Sequence, residues 1–185
     1  MKKILRNIKK KIKAFVCKSS ISNQTISPED YYRSKGVKIG KNVSLIEPIN
    51  FGSEPYLISI GDNTSVSFDV AFVTHDGATR VLRNLLGNSE IGLYGEIIIG
   101  KNSLIGCRST ILPNVHIGDN TIIGAGSLVT RDIPSNVVAV GNPCRVICTL
   151  EEYIEKNKDS FFFIQSLDQE SKRKYLIDYF EHKTI

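Results

Sequence analysis

Between Ile97 and Ile147 an aliphatic side chain recurs at every sixth position: Ile99, Ile105, Ile111, Ile117, Ile123 and Val129. All are β-branched. Glycine follows at 100, 106, 118 and 124, and three residues beyond that slot stand Ser103, Ser109, Val115, Thr121, Ser127 and Ile133. A helix would scatter a period of six around its circumference, and an isolated strand would show a period of two. One inward aliphatic per six residues instead predicts short strands stacked as coils, a parallel β-helix in which each hexapeptide forms one side. The glycines are expected where the backbone turns between sides and a Cβ could clash.

The same phase begins earlier. Coils are predicted from Val37, through Ile39, Leu45 and Phe51; a slip of three residues around Gly52–Tyr56 then precedes Ile60, Val66 and Phe72. The core column cannot shift, so the slip must bulge outward as a surface loop at a coil edge. A larger break, the insertion 76–96, interrupts the repeat and is rich in polar and charged residues, as a functional loop would be. Thr149-Leu150-Glu151-Glu152 carries a capping-box pattern that predicts a helix to about Lys158, covering the open coil end; Ser166–Gln169 repeats the start signal for a second helix to about His182. The aromatic residues of this tail, Phe161 to Phe163 and Tyr175 to Phe180, are expected to pack against the coils or another subunit. The organisation is a basic segment 1–35, a β-helix domain 36–147 and C-terminal helices 148–185. The fold class is all-β with helical extensions at both ends.

Charge changes this picture at one place. The net charge is +5, but residues 1–18 carry eight Lys or Arg and no acid, leaving sixteen basic and nineteen acidic residues in the remainder. The basicity belongs to the tail, so it gives no reason to expect nucleic-acid binding by the repeats. Ile4, Leu5, Ile8, Ile12, Phe15 and Val16 fall at helical spacing in that tail. It reads either as an interfacial helix on anionic lipid or as a solvated terminal helix. No stretch reaches the roughly 18 apolar residues of a membrane span, and the N-terminus lacks a signal-peptide h-region. Cys17, Cys107, Cys144 and Cys148 form no zinc spacing with the three His, so free thiols in the cytoplasm and no metal are expected. The cytoplasmic placement includes the inner membrane face as a possible peripheral address.

His75 is the first chemical candidate, at the mouth of the insertion directly after a coil strand. An alcohol attacking a thioester must lose its proton to a base with a pKa near the working pH, which a histidine supplies. The alternative is a surface histidine in a turn. Asp76 should point away from it in extended backbone, leaving its orienting group unnamed. His116 is expected to be a solvent-facing corner residue, and His182 incidental. Gly124-Ala125-Gly126 is not a P-loop, because the Gly-Lys-Ser/Thr that would follow is missing.

The stretch from Ile123 to Pro134, with Gly141-Asn142-Pro143-Cys144-Arg145-Val146-Ile147 closing it, resembles the hexapeptide-repeat acyltransferases, and specifically the galactoside and maltose O-acetyltransferases. The resemblance covers about 37–158. It implies a left-handed, three-sided β-helix and a homotrimer with sites between neighbouring subunits. It also implies transfer of acetyl from acetyl-CoA to a hydroxyl of a sugar or polysaccharide precursor, and places the base at His75, before a loop ending in Leu82-Arg83. Cys107, Ala125, Thr130, Arg131 and Arg145 correspond to coenzyme contacts, the two arginines near the nucleotide phosphates, while Asn50, Glu54 and Arg83 correspond to acceptor contacts. A backbone N–H is expected to hold the oxyanion. Leu104 stands where the family often has Trp. Two other readings stay open: N-acetylation of a nucleotide-linked amino sugar, and a non-catalytic, membrane-associated trimeric scaffold.

Overall fold

The structure, a computed structural model, describes residues 26–182; the basic segment 1–18 with Cys17 lies outside the described residues. Among the described residues, fourteen short strands follow one helix. The first twelve are β1 (Lys38–Ile39), β2 (Ser44–Leu45), β3 (Ile49–Asn50), β4 (Ile58–Ile60), β5 (Ser65–Val66), β6 (Val70–Phe72), β7 (Ile97–Ile99), β8 (Leu104–Ile105), β9 (Thr110–Ile111), β10 (Val115–Ile117), β11 (Ile122–Ile123) and β12 (Leu128–Val129). The chain visits three sheets in rotation, with orders β1-β4-β7-β10, β2-β5-β8-β11 and β3-β6-β9-β12, all parallel. Those are the three sides of a coil. Partners one coil apart differ by 21 residues in the first step (Ile49 with Val70), by 39 across the insertion (Ser65 with Leu104) and by 18 thereafter (Thr110 with Leu128). The three extra residues of the first step are a 3₁₀ turn, Pro55–Leu57, on the surface.

The period-six column is the core. Ile99, Ile105, Ile111, Ile117, Ile123 and Val129 are all essentially inaccessible, and burying each such side chain contributes about 1.5–3 kcal/mol. On the third side the column continues downward as stacked Phe72 and Phe51, with ring centroids 5.0 Å apart, and then Tyr32 at 4.2 Å. Ser103, Thr121 and Ser127 are buried as well, and their hydroxyls bond main-chain carbonyls of Gly118, Pro134 and Gly124. Buried polar groups are thereby satisfied.

The glycines turn out to serve stacking rather than turning. A Cβ on Gly100 would lie 2.6 Å from the carbonyl carbon of Gly118 in the next coil. The turns themselves are made two residues later by asparagines in the left-handed region: Asn102, Asn120 and Asn136, with φ of 51°, 52° and 62°. Asparagine tolerates that conformation, and these three also bond side chain to side chain up the corner, at 2.7 and 2.9 Å.

Both ends of the stack are closed. Helix α1 (Pro28–Ser34), capped by the Ser27 hydroxyl, underlies the first coil. Its Arg33 donates to the carbonyls of Ile39 and Gly40, its Glu29 accepts from the Leu45 amide, and its Tyr32 donates to the Ile49 carbonyl. One side chain thus serves the open edge of each sheet. At the other end β13 (Val137–Val140) joins β11, and β14 (Arg145–Thr149) adds antiparallel to β13, an edge strand that the hexapeptide spacing does not announce. Thr149 and Glu152 form a reciprocal capping box at α3, which is Leu150–Asn157 when the insertion helix α2 (Thr79–Leu86) is counted before it. Helix α4 (Gln169–His182) ends the described chain. Its Tyr179 meets Phe162 edge to face at 4.8 Å, whereas Phe163 and Phe180 stay exposed. No helix among the described residues is long and apolar enough to cross a membrane.

Candidate active site

Phe72 ends β6 facing inward, so alternation turns Val73 outward, Thr74 inward and His75 outward; Thr74 is 1 % exposed. The insertion returns antiparallel, with a bridge between His75 and Tyr94, and the Gly95 amide donates to the Thr74 carbonyl. Gly95 must be glycine because a Cβ there would collide with Asn114 at 2.5 Å. The result is an open cleft of about 440 Å³ between the loop mouth and the coil corner, lined by Val73, His75, Leu93, Tyr94, Asn114 and Thr130 among others. His75, Asn114 and Thr130 come from three successive coils at one corner, which follows the third sheet.

Glu54 is the group that holds His75. Its Oε2 lies 2.9 Å from His75 Nδ1 and accepts the Thr74 hydroxyl at 2.7 Å. The Glu54 side chain is 14 % exposed, against 41 % for His75. The Thr74 hydrogen bond, with a further contribution from His75, holds the Glu54 carboxyl below the usual carboxylate range despite some desolvation. An ionised acceptor at Nδ1 fixes the imidazole with its proton on Nδ1 and leaves the lone pair of Nε2 free to accept a proton. Asp76 plays no such part: its carboxylate accepts the Ala78 amide at 2.8 Å, at the start of α2.

The remaining sequence-nominated residues divide between two corners. Thr130 and Arg131 follow β12, at the corner of His75. Cys107 and Ala125 stand at equivalent positions of adjacent coils at the opposite end of the third sheet, where the Gly126 amide donates to the Cys107 carbonyl. Arg145 pairs with Val140 on the second sheet, and its guanidinium is tied to the Cys144 carbonyl at 2.7 Å. Asn50 accepts the Gly52 amide, and Arg83 donates to the Ile91 carbonyl at 2.6 Å, bracing α2 against the returning arm. His116 is exposed, but it lies within β10 and not at a corner, because Val115 and Ile117 flank it as inward residues. Cys107, Cys144 and Cys148 are free thiols; burial pushes that of Cys144 up. No group of side chains suited to a metal ion occurs among the described residues.

Thr74, Tyr94 and Asn114 escaped the sequence reading, as did the role of Glu54 toward His75. A signal for the last existed. Glu54 and His75 are 21 residues apart, which is the first coil step, an 18-residue coil plus the three-residue slip.

Known proteins agree with this architecture. Residues 96–131 match the family described as bacterial transferase hexapeptide (six repeats). Protein CapG of Staphylococcus aureus is 39 % identical over 155 residues, covering 83 % of this chain and 89 % of CapG. The crystal structure of a maltose O-acetyltransferase from Clostridium difficile 630 superimposes with a TM-score of 0.54 at 33 % identity, over 70 % of this chain and 78 % of that one. A galactoside acetyltransferase in complex with coenzyme A gives 0.55 at 28 % identity, over 80 % and 79 %. With its coils, its loop insertion and these relatives in agreement, the chain belongs to the bacterial hexapeptide-repeat transferases, among the acetyltransferases of that family.

Proposed function

We propose that the protein moves acetyl from acetyl-CoA to a hydroxyl of a sugar or polysaccharide precursor, with His75 as general base and Glu54 as the carboxylate that orients it. The His75–Glu54 hydrogen bond at the mouth of the cleft carries the reading. The acceptor hydroxyl gives its proton to His75 Nε2 as its oxygen bonds to the thioester carbonyl carbon. Collapse of the tetrahedral intermediate breaks the carbon–sulfur bond, and the imidazolium returns the proton to the departing thiolate. Glu54 stabilises the transient imidazolium without itself taking a proton. Leu93, Tyr94, Leu112 and Pro113 give the cleft an apolar wall, suited to the CH face of a sugar ring.

The coenzyme-contact candidates lie at both ends of the third sheet, so one chain does not bring them all to His75. A threefold assembly of left-handed coils, in which one subunit's Ala125–Arg145 corner faces the next subunit's His75 corner, unites them. The exposed Val81, Leu85 and Leu86 of α2 are the apolar surface such a neighbour would cover. A purely scaffolding trimer has no use for an oriented imidazole. The test is thiol release from acetyl-CoA across sugars, nucleotide sugars and polysaccharide repeat units, with His75→Ala beside the wild type. Turnover should fall about 10²–10⁴-fold while assembly persists; near-normal turnover in the variant would remove His75 from the mechanism.

A further inference from the structure

The buried hydroxyls among the described residues have a common pattern, and one departs from it. Thr64, Thr79, Ser103, Ser109, Thr121 and Ser127 each donate to a main-chain carbonyl, those of Gly100, Asp76, Gly118, Gly124, Pro134 and Gly124 respectively. Thr74, equally buried, donates to the Glu54 side chain. We propose that Thr74 is a positioning residue for the acyl transfer, its hydroxyl locking the Glu54 carboxylate in the orientation that keeps His75 in its basic tautomer.

The geometry supports this in three ways. Glu54 sits before the 3₁₀ turn with φ −117° and ψ 62°, outside any strand, so no ladder fixes the direction of its side chain. Thr74 and His75 address the same oxygen from opposite faces of one chain segment, which leaves Oε2 a single position satisfying both. The Thr74 carbonyl also accepts the Gly95 amide, so one residue ties together the slip loop, the loop mouth and the returning arm. Valine would fill the same buried slot, so the hydroxyl is dispensable for packing.

The inference rests on His75 being the base. Two donors share the charge of Oε2. Removing the hydroxyl leaves the carboxylate held by the imidazole alone and free to turn, so the Nδ1 proton loses its fixed acceptor. The other ionisable groups around it are Asp76, engaged by the Ala78 amide, and Tyr94, with its ring centroid 6.3 Å from that of His75.

The experiment reads the ring ¹⁵N shifts of His75, which report its tautomer, in wild type, Thr74→Val and Thr74→Ser; this needs no acceptor. Thiol release with maltose and methyl β-D-galactopyranoside is followed in parallel. In Thr74→Val the shifts should report a mixture of tautomers, and kcat should fall about tenfold, as for loss of a hydrogen bond to a charged group. KM for acetyl-CoA should stay unchanged, and Thr74→Ser should restore wild-type behaviour. A wild-type tautomer in Thr74→Val overturns the proposal, as does an equal loss in both variants. Dead His75→Ala beside unaffected Thr74→Val withdraws the role of Thr74 alone; active His75→Ala withdraws the base itself.

Discussion

Alanine at three glycines should separate the reasons for which this fold uses glycine. Gly100 has no positive φ, and its Cβ would meet the Gly118 carbonyl carbon at 2.6 Å and the Asp119 amide nitrogen at 2.7 Å. Ordinary contact begins near 3.5 Å, so the neighbouring coil must retreat by about 0.9 Å. That retreat stretches the 2.8 Å bond from the Gly100 amide to the Ile117 carbonyl and unseats the isoleucine column beside it. Overpacking of this kind costs about 1–3 kcal/mol, or roughly 2–4 °C of melting temperature for each kcal/mol in a chain of this size. Gly126 has φ +69° and open space at its Cβ position. Its alanine variant bears only the left-handed penalty of about 1–2 kcal/mol, and asparagine should recover much of it. Gly77 has neither constraint, and its alanine variant should be neutral or slightly stabilising. Calorimetric melting at matched protein concentration reads all four variants. Gly100→Ala melting with Gly77→Ala would refute the stacking explanation, and asparagine at 126 melting below alanine would refute the conformational one.

Arg131→Ala and Arg145→Ala should each raise KM for acetyl-CoA, by about tenfold where a charge-assisted contact is lost, and less for dephospho-CoA thioesters. Arg145 should show the larger effect because the Cys144 carbonyl already holds its guanidinium; equal effects on both donors would remove the 3′-phosphate as target. Tyr32 should set an alkaline limit. Burial, reinforced by Glu47, pushes its phenol up to about 12. A folded pKa above the unfolded value of about 10 gives stability that is complete below pH 10 and lost as pH rises toward 12. Thermal melts across that window should decline in the wild type and flatten in Tyr32→Phe; parallel curves would refute the assignment.

The coil was legible because its core requires one β-branched side chain in six, and Ile99 to Val129 meet that demand without a gap. His75 was legible as a polar residue where the repeat stops. Its partner was not, because Glu54 belongs to a loop where the period fails, and only the summed length of one whole coil reveals that it lies beneath His75. Arg83 and Asn50 show the converse limit. Sequence placed them near the cleft, but hydrogen bonds to Ile91 and Gly52 are backbone affairs that no spacing encodes. The corner glycines misled for a related reason: distance to the next coil is a property of stacking, and the neighbouring asparagines carry the turn.

The closure of the first coil by Glu29, Tyr32 and Arg33 bears on how such a protein can grow. A stack whose layers bond only to their neighbours has no natural length, and its extent is whatever its terminators allow. Here the interior is also committed. A layer added between the first and second coils would part Glu54 from His75, and one added between the second and fourth would part His75 from Asn114 or Thr130. New layers can therefore enter only beyond the Thr130 corner or between α1 and the first coil, each time displacing a cap. The proposed chemistry at one corner thus counts the coils of the whole stack, and the three capping side chains hold that count at its lower end.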